Sequence, residues 1–158
     1  MSIRWSIGLS AGLAMLWLAH GVGAQVPAAS ILSGCLDEVR AAGGDIATCR
    51  GTITEQCMVE IAEGDRRDSD RTFCLQREGF AWGDMNLSVG TAYLRQMEGR
   101  AGFSKDAYID ALGERLSAGR ASCFDAPIGQ EEQIQECILD RNIEVLRWAY
   151  QLLDDADG

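Results

Sequence analysis

The chain has 158 residues, six cysteines and a formal net charge of −10, with 24 acidic against 14 basic side chains. So acidic a surface repels the phosphate backbone of nucleic acids, and we exclude nucleic acid as a partner. The one histidine, His20, lies in an apolar N-terminal segment, so a protein that has lost this segment has no histidine for a nucleophilic triad or a metal site. Carboxylates are abundant, but their spacing singles out no catalytic pair, and no phosphate loop, dinucleotide fingerprint or C-x-x-C motif occurs. We therefore expect a protein that is not an enzyme and that needs no cofactor or metal.

The N-terminal segment is typical of a secretory leader. Arg4 supplies a positive charge, residues 7–19 are apolar, and residues 22–24 (Val-Gly-Ala) form a small-residue cleavage site. The apolar run is too short to span a bilayer comfortably. We expect a signal peptide over residues 1–24, no membrane insertion after its removal, and a single periplasmic or secreted domain over residues 25–158. That domain would carry 13 basic and 24 acidic side chains, a formal charge of −11.

A lipoprotein anchor is the alternative to a cleaved leader. Residues 32–35, Leu-Ser-Gly-Cys, are similar to the site at which bacterial lipoproteins are cleaved and acylated. In lipoproteins that site directly follows the hydrophobic region of the leader. Here His20, Gln25 and Pro27 lie between the hydrophobic region and the site. Acylation of Cys35 would also leave an odd number of cysteines in an oxidising compartment. The cleaved leader is therefore the favoured interpretation.

Helical spacing of apolar residues predicts the fold class. Such spacing recurs in almost every segment, and β-branched alternation is scarce, so we expect an all-α protein. A first helix is predicted over residues 27–42, ending at Gly43-Gly44. A second helix opens with a capping box formed by Thr52 and Glu55 and ends at Gly64. The apolar faces of these helices are expected to comprise Ile31, Cys35, Val39, Ile53, Cys57 and Ile61.

A long helix follows a charged segment. Residues 65–71 alternate in charge without apolar content, which predicts an exposed loop ending in an N-cap at Asp68 or Ser69. The helix is predicted over residues 70–98, with three glycines that can bend it, Gly79, Gly83 and Gly90. Its larger apolar residues are Phe73, Trp82, Leu87, Tyr93, Leu94 and Met97.

Two further helices complete the predicted bundle. Gly99 and Gly102 mark a turn, and Ser104 is a suitable N-cap for the fourth helix, whose apolar stripe is Tyr108, Ala111, Leu112 and Leu116. Residues 126–129 break the pattern, and the last helix is predicted over residues 130–153. The acidic tail over residues 154–158 resembles half of a calcium loop without its closing glutamate, so we expect a frayed end. The result is a small disulfide-braced bundle of four to five helices with antiparallel helix pairs.

The cysteines are expected to form disulfides because their number is even and the chain is short and exported. Sequential pairing places each bridge across one helix connection, and we favour it over the other fourteen connectivities that six cysteines allow. The expected pairs are Cys35 with Cys49, Cys57 with Cys74, and Cys123 with Cys137.

The order of these features resembles the LprI-type lysozyme inhibitor family of bacterial envelope proteins. Glu78 and Trp82 follow Cys74 at helical spacing, and Cys123 and Cys137 lie on the terminal pair of helices, as in that family. Members usually continue as W-D-x-x-L-N-x-x-Y, whereas this chain has W-G-D-M-N-L after Ala81, and Gly90 stands where tyrosine is usual. The resemblance implies a helical scaffold and a divergent member of the family.

Two functions are consistent with this resemblance. The first is a periplasmic inhibitor-like protein that binds lysozyme or another cationic protein without covalent chemistry, using electrostatic attraction. The second is an envelope interaction or structural module without lysozyme activity. The candidate binding residues lie in the charged loop and at the start of the last helix: Asp65, Asp68, Asp70, Glu131 and Glu132. Glu78 and Trp82 also have a structural interpretation, in which Trp82 packs in the core and Glu78 caps or pairs with a neighbour.

Overall fold

Five α-helices and two short 3₁₀ helices make up the part of the chain that the computed structural model describes, residues 27–61, 68–125 and 130–157. The helices are α1 (Ala28–Ala41), α2 (Thr52–Ile61), α3 (Asp68–Met97), α4 (Lys105–Ala121) and α5 (Glu131–Asp157). The 3₁₀ helices are Ile46–Cys49, before α2, and Ser122–Asp125, after α4. The predicted all-α fold is confirmed. Both the predicted leader and the loop residues 62–67 lie outside the described residues.

The longest helices, α3 and α5, run parallel to each other and form the most extensive interface. At their N-terminal ends Arg71 pairs with Glu132, and at their C-terminal ends Gln96 donates a hydrogen bond to Asp157. Helix α4 runs antiparallel to α5, because Cys123, two residues after the end of α4, bridges Cys137, while Tyr108 near the start of α4 stacks on Trp148. The expected antiparallel pair is therefore α4 with α5. Helices α3 and α5 can be parallel because α4 runs back along them and connects the end of one to the start of the other.

The core lies where α1, α2 and α5 pack against α3. Trp82 of α3 is fully buried at its centre. The other large apolar side chains that are fully buried around it are Leu32, Leu36, Ile53, Leu139 and Leu146. Burial of side chains of this size contributes roughly 1.5–3 kcal/mol each. The apolar face of α1 thus includes Leu32 and Leu36, while Ile31, Cys35 and Val39 are half-buried beside them.

All three disulfides join neighbouring elements as expected. Cys35 of α1 bridges Cys49, Cys57 of α2 bridges Cys74 of α3, and Cys123 bridges Cys137 of α5, with Cα–Cα distances of 5.6 to 5.9 Å. No described cysteine is free. Sequential pairing is confirmed, and each bridge joins two elements that are neighbours along the chain.

Several predicted details are wrong. Helix α3 begins at Asp68, so Asp68 and Ser69 lie inside it, and it runs without interruption across its three glycines. Helix α5 continues through Asp157, so residues 154–157 are helical and not frayed, since Asp154 accepts a hydrogen bond from Arg40 at 2.7 Å. The 3₁₀ helix Ile46–Cys49 was not predicted and is opened by Asp45, whose carboxylate accepts from the Ala47 N–H.

Two apolar residues of α3 face solvent instead of the core. Phe73 and Leu87 are 57% and 58% exposed, since they lie on the side of the helix opposite Trp82. The N-cap at Ser104 is confirmed, because its hydroxyl accepts from the Ala107 N–H at 3.3 Å. Among the helices of the described ranges, none is long and apolar enough to cross a membrane.

Candidate functional site

Glu78, one of the two residues matched to the family motif, caps a neighbouring helix. Its carboxylate is fully buried between α3 and the start of α2. One oxygen accepts from the Gly51 N–H at 2.6 Å and the other from the Thr54 N–H at 2.8 Å. The Trp82 indole N–H donates to the same carboxylate at 3.3 Å. Three donors thus satisfy a carboxylate that would otherwise be costly to bury.

This arrangement replaces the predicted capping box. The residue before α2 is Gly51, with φ of +91°, and it has no side chain to cap the helix. In a capping box the N-cap side chain accepts from the third helical N–H, and the third side chain accepts from the N-cap N–H. Glu78 performs both parts from another helix, while Thr52 is already helical and its hydroxyl donates to the Cys49 carbonyl at 2.8 Å. The structural interpretation of Glu78 and Trp82 is therefore confirmed.

Asn86, in the stretch that departs from the family pattern, forms a buried pair of amides with Asn142 of α5. Asn86 donates to the Asn142 carbonyl at 3.0 Å, and Asn142 donates to the Gly79 carbonyl at 2.9 Å. Both side chains are almost completely buried between α3 and α5. Sliding either helix would break both bonds inside the core, so the pair fixes the register of the parallel helices. Asn142 was not identified from the sequence. Its position within the apolar stripe of the last helix could have indicated a buried polar residue.

An aromatic cluster fills the space beside Gly90. Tyr108 of α4 stacks on Trp148 with ring centroids 5.8 Å apart, and Tyr93 lies 4.9 Å from Tyr108. A Cβ atom at position 90 would lie 2.8 Å from the Tyr108 hydroxyl oxygen. Burial raises the pKa of Tyr108 above its usual value. Tyr108 therefore occupies the place that a side chain at position 90 would need, which explains why this chain has glycine there.

We expect Gly90→Ala to destabilise the protein by about 1 kcal/mol, because overpacking costs about 1–3 kcal/mol and the helical preference of alanine returns about 1 kcal/mol. Urea unfolding measures this change. In a Tyr108→Phe background, which removes the clashing oxygen, the same substitution should be neutral or stabilising. As a control, Gly113→Ala in α4 meets no atom within 4 Å and should stabilise. Equal effects of Gly90→Ala in both backgrounds would contradict the contact.

The predicted acidic binding residues are not brought together as a free surface. Asp65 lies outside the described residues, Asp68 is the first residue of α3, and Asp70 is half-buried in the same turn. Glu131 is exposed in the first turn of α5, whereas Glu132 pairs with Arg71 at 2.5 Å. Arg71 also pairs with Glu136, at 3.1 Å. Glu132 thus holds the N-terminal ends of α3 and α5 together.

A free acidic ridge instead lies on α4. Asp106, Asp110 and Glu114 are exposed and spaced four residues apart, so they lie on one face of the helix, opposite Tyr108. None of the three forms an ion pair within the described ranges, whereas most acids of α5 are paired with arginines. Like charges at this spacing destabilise a helix by roughly 0.2–0.5 kcal/mol per pair. The acidic ridge, residues 106, 110 and 114, could have been found from its spacing in the sequence.

Both arginines of one surface cleft are already paired. The cleft has a volume of about 750 Å³ and lies between the end of α1 and the end of α5. Arg147 there pairs with Asp45 at 2.7 Å, and Arg40 pairs with Asp154 while lying 3.7 Å from the Tyr150 ring centroid. The Arg147 contact and the Ala47 N–H together lower the pKa of Asp45. Arg40 and Arg147 are therefore paired with carboxylates of the protein, and neither is a free cation for a ligand.

Metal-binding geometry is missing from the described segments: they contain no group of three or more cysteine, aspartate, glutamate or histidine residues placed to hold an ion.

Comparison of the chain with protein-family models, with curated proteins and with solved structures finds no match.

Proposed function

We propose that this protein is an exported, non-enzymatic binding protein that attaches to a cationic protein, with lysozyme as the first target to test. The cysteine order and the Glu78 and Trp82 positions resemble lysozyme inhibitors, and the chain carries a formal charge of −10. The observation that supports a defined contact best is the acidic ridge on α4, whose carboxylates are exposed and unpaired within the described residues. Such a ridge attracts a cationic partner over about a Debye length, roughly 8 Å at physiological salt.

The mechanism would need no covalent step. A basic surface on the partner would be steered to the ridge and would replace solvent around its three carboxylates. The side chain of Ile109 is 45% exposed and lies three residues after Asp106, next to it on the helix surface, so it would provide an apolar contact beside the ridge. Inhibition would follow if the attached protein covers the partner's substrate cleft.

An envelope module without lysozyme activity is the second candidate. It is favoured by the burial of Glu78 and Trp82, because the motif residues shared with the inhibitor family then explain the scaffold and not the recognition of lysozyme. Such a module would use another surface of the same bundle.

The test compares two triple variants with the same change in net charge. The ridge variant is Asp106→Asn, Asp110→Asn and Glu114→Gln, and the control variant is Asp37→Asn, Glu38→Gln and Glu98→Gln, which removes three exposed acids from other places. We expect the ridge variant to bind hen lysozyme about ten-fold more weakly, and the control to bind nearly as the wild type does. Binding of the oxidised protein is measured by titration calorimetry at 50 and 150 mM salt, with lysozyme activity followed in parallel.

Each outcome separates the candidates. Equal weakening by both triple variants would show that net charge acts without the ridge. Binding without inhibition would support a cationic partner other than lysozyme. If the wild-type protein does not bind any lysozyme at low salt, the inhibitor function is wrong and the module remains.

A further inference from the structure

A small cleft opens where α3, α4 and α5 meet, on a different part of the surface from the acidic ridge. Its volume is about 290 Å³. Phe80 of α3 and Phe124 of the second 3₁₀ helix stand at the cleft and are 66% and 64% exposed. Both rings line the same cleft, and exposed apolar patches commonly mark binding sites. Ile138 of α5 adds a half-buried apolar side chain.

Three polar side chains at the cleft have no partner among the described residues, whereas the Asn142 amide there donates to the Gly79 carbonyl. Arg120 of α4 lies against α3, with a guanidinium nitrogen 3.7 Å from the place where Gly83 would carry a Cβ atom. Within the described part of the chain its side chain has no ion pair and no hydrogen bond, and the same holds for the amides of Gln76 and Gln135. Among the residues that the structure describes, no aspartate or glutamate lines the cleft. An unpaired guanidinium beside apolar walls is unusual in a chain with ten more acidic than basic side chains.

We propose that this cleft binds the C-terminal carboxylate of a peptide that ends in a bulky apolar residue. The carboxylate would lie against Arg120, because a guanidinium offers parallel donors that match two carboxylate oxygens. The last side chain would lie between Phe80 and Phe124. The volume suffices for one such side chain with its carboxylate. The preceding residues of the peptide would extend into solvent from the open side of the cleft. Gln76 or Gln135 can form a hydrogen bond with the last peptide group. This inference goes beyond the proposed function, since the two sites attract opposite charges.

The test uses the oxidised protein and four soluble probes. The first is the peptide Ac-Gly-Gly-Phe with a free carboxylate, the second is its C-terminal amide, the third is Ac-Gly-Gly-Gly with a free carboxylate, and the fourth is octanoate. We expect the first probe to bind at least about ten-fold more tightly than the others, because only it has both the charge and the ring. Titration calorimetry gives the affinities, and perturbed backbone amide signals in α3, α4 and α5 locate the site.

Matched substitutions test the residues. Arg120→Met and Phe124→Ala should each weaken the free-acid peptide by about ten-fold or more. Arg100→Met removes the same charge elsewhere, and Phe73→Ala removes an exposed ring from the same helix as Phe80, so both should bind as the wild type does. All four side chains are exposed, and circular dichroism verifies that the variants fold. Equal binding of the acid and its amide, tighter binding of octanoate, or no binding of any probe at millimolar concentration would each overturn the proposal.

Discussion

Reduction of the three disulfides is expected to unfold this protein at neutral pH. The bridges close segments with sequence separations of 14, 17 and 14 residues. In the chain-entropy account each such closure is worth about 3 kcal/mol, so the three contribute about 9 kcal/mol. A domain of this size has a total stability of about 5–15 kcal/mol, and little of it would remain. Loss of the helical circular dichroism signal with dithiothreitol measures the effect.

Variants with one bridge removed show how this stability is distributed. We expect the pair Cys57→Ala and Cys74→Ala to be more damaging than Cys123→Ala and Cys137→Ala. The reason is that α2 has only ten residues and is attached to α3 at that bridge and at Glu78. Retention of a cooperative thermal transition by the fully reduced protein would contradict the expected role of the bridges.

Loss of the Glu78 carboxylate has the second largest expected effect. Glu78→Ala should destabilise the protein by about 3 kcal/mol, because two backbone N–H groups at the start of α2 lose a charged acceptor where the side chain was fully buried. Glu78→Gln should be about half as damaging, since an amide keeps one accepting oxygen but presents N–H donors to the other backbone donor. Urea unfolding at neutral pH measures both changes.

Glu55→Ala is the matched control for Glu78. Glu55 belongs to the capping box expected from the sequence and is exposed in the first turn of α2. Its removal should cost about 0.5 kcal/mol or less, from its interaction with the helix end alone. A larger loss for Glu55→Ala than for Glu78→Ala would restore the local capping box and contradict capping by α3.

The helices and bridges could be predicted from the sequence because the signals that specify them are local. Helical periodicity depends on residues within a few positions of each other, and sequential pairing followed once each bridge was placed across one connection. The N-cap Ser104 was predicted for the same reason. These signals also indicate the acidic ridge, whose three members are spaced by four residues.

The errors concern interactions between residues distant in sequence. Glu78 caps a helix that begins 26 residues earlier, with Thr52, so no local rule could identify the cap. Phe73 and Trp82 were both identified as large apolar residues of α3, but they lie on opposite sides of it, and only the positions of α2 and α5 decide which side is covered. The length of α5 was underestimated because its last turn is held by Arg40 of α1 and Gln96 of α3. The donors around Phe124 likewise come from three separate helices.

The cap supplied by Glu78 has a consequence for the order in which the chain acquires structure. A ten-residue helix with glycine before it is too short to persist alone in water. Its N-terminal N–H groups find their acceptor only when the middle of α3 has docked against it. During synthesis α2 emerges before α3, so this segment has to wait for later residues before it can become helical. Formation of the Cys57–Cys74 disulfide, in which an external oxidant accepts the two electrons and two protons of the thiols, would then follow docking, because docking brings the two thiols together.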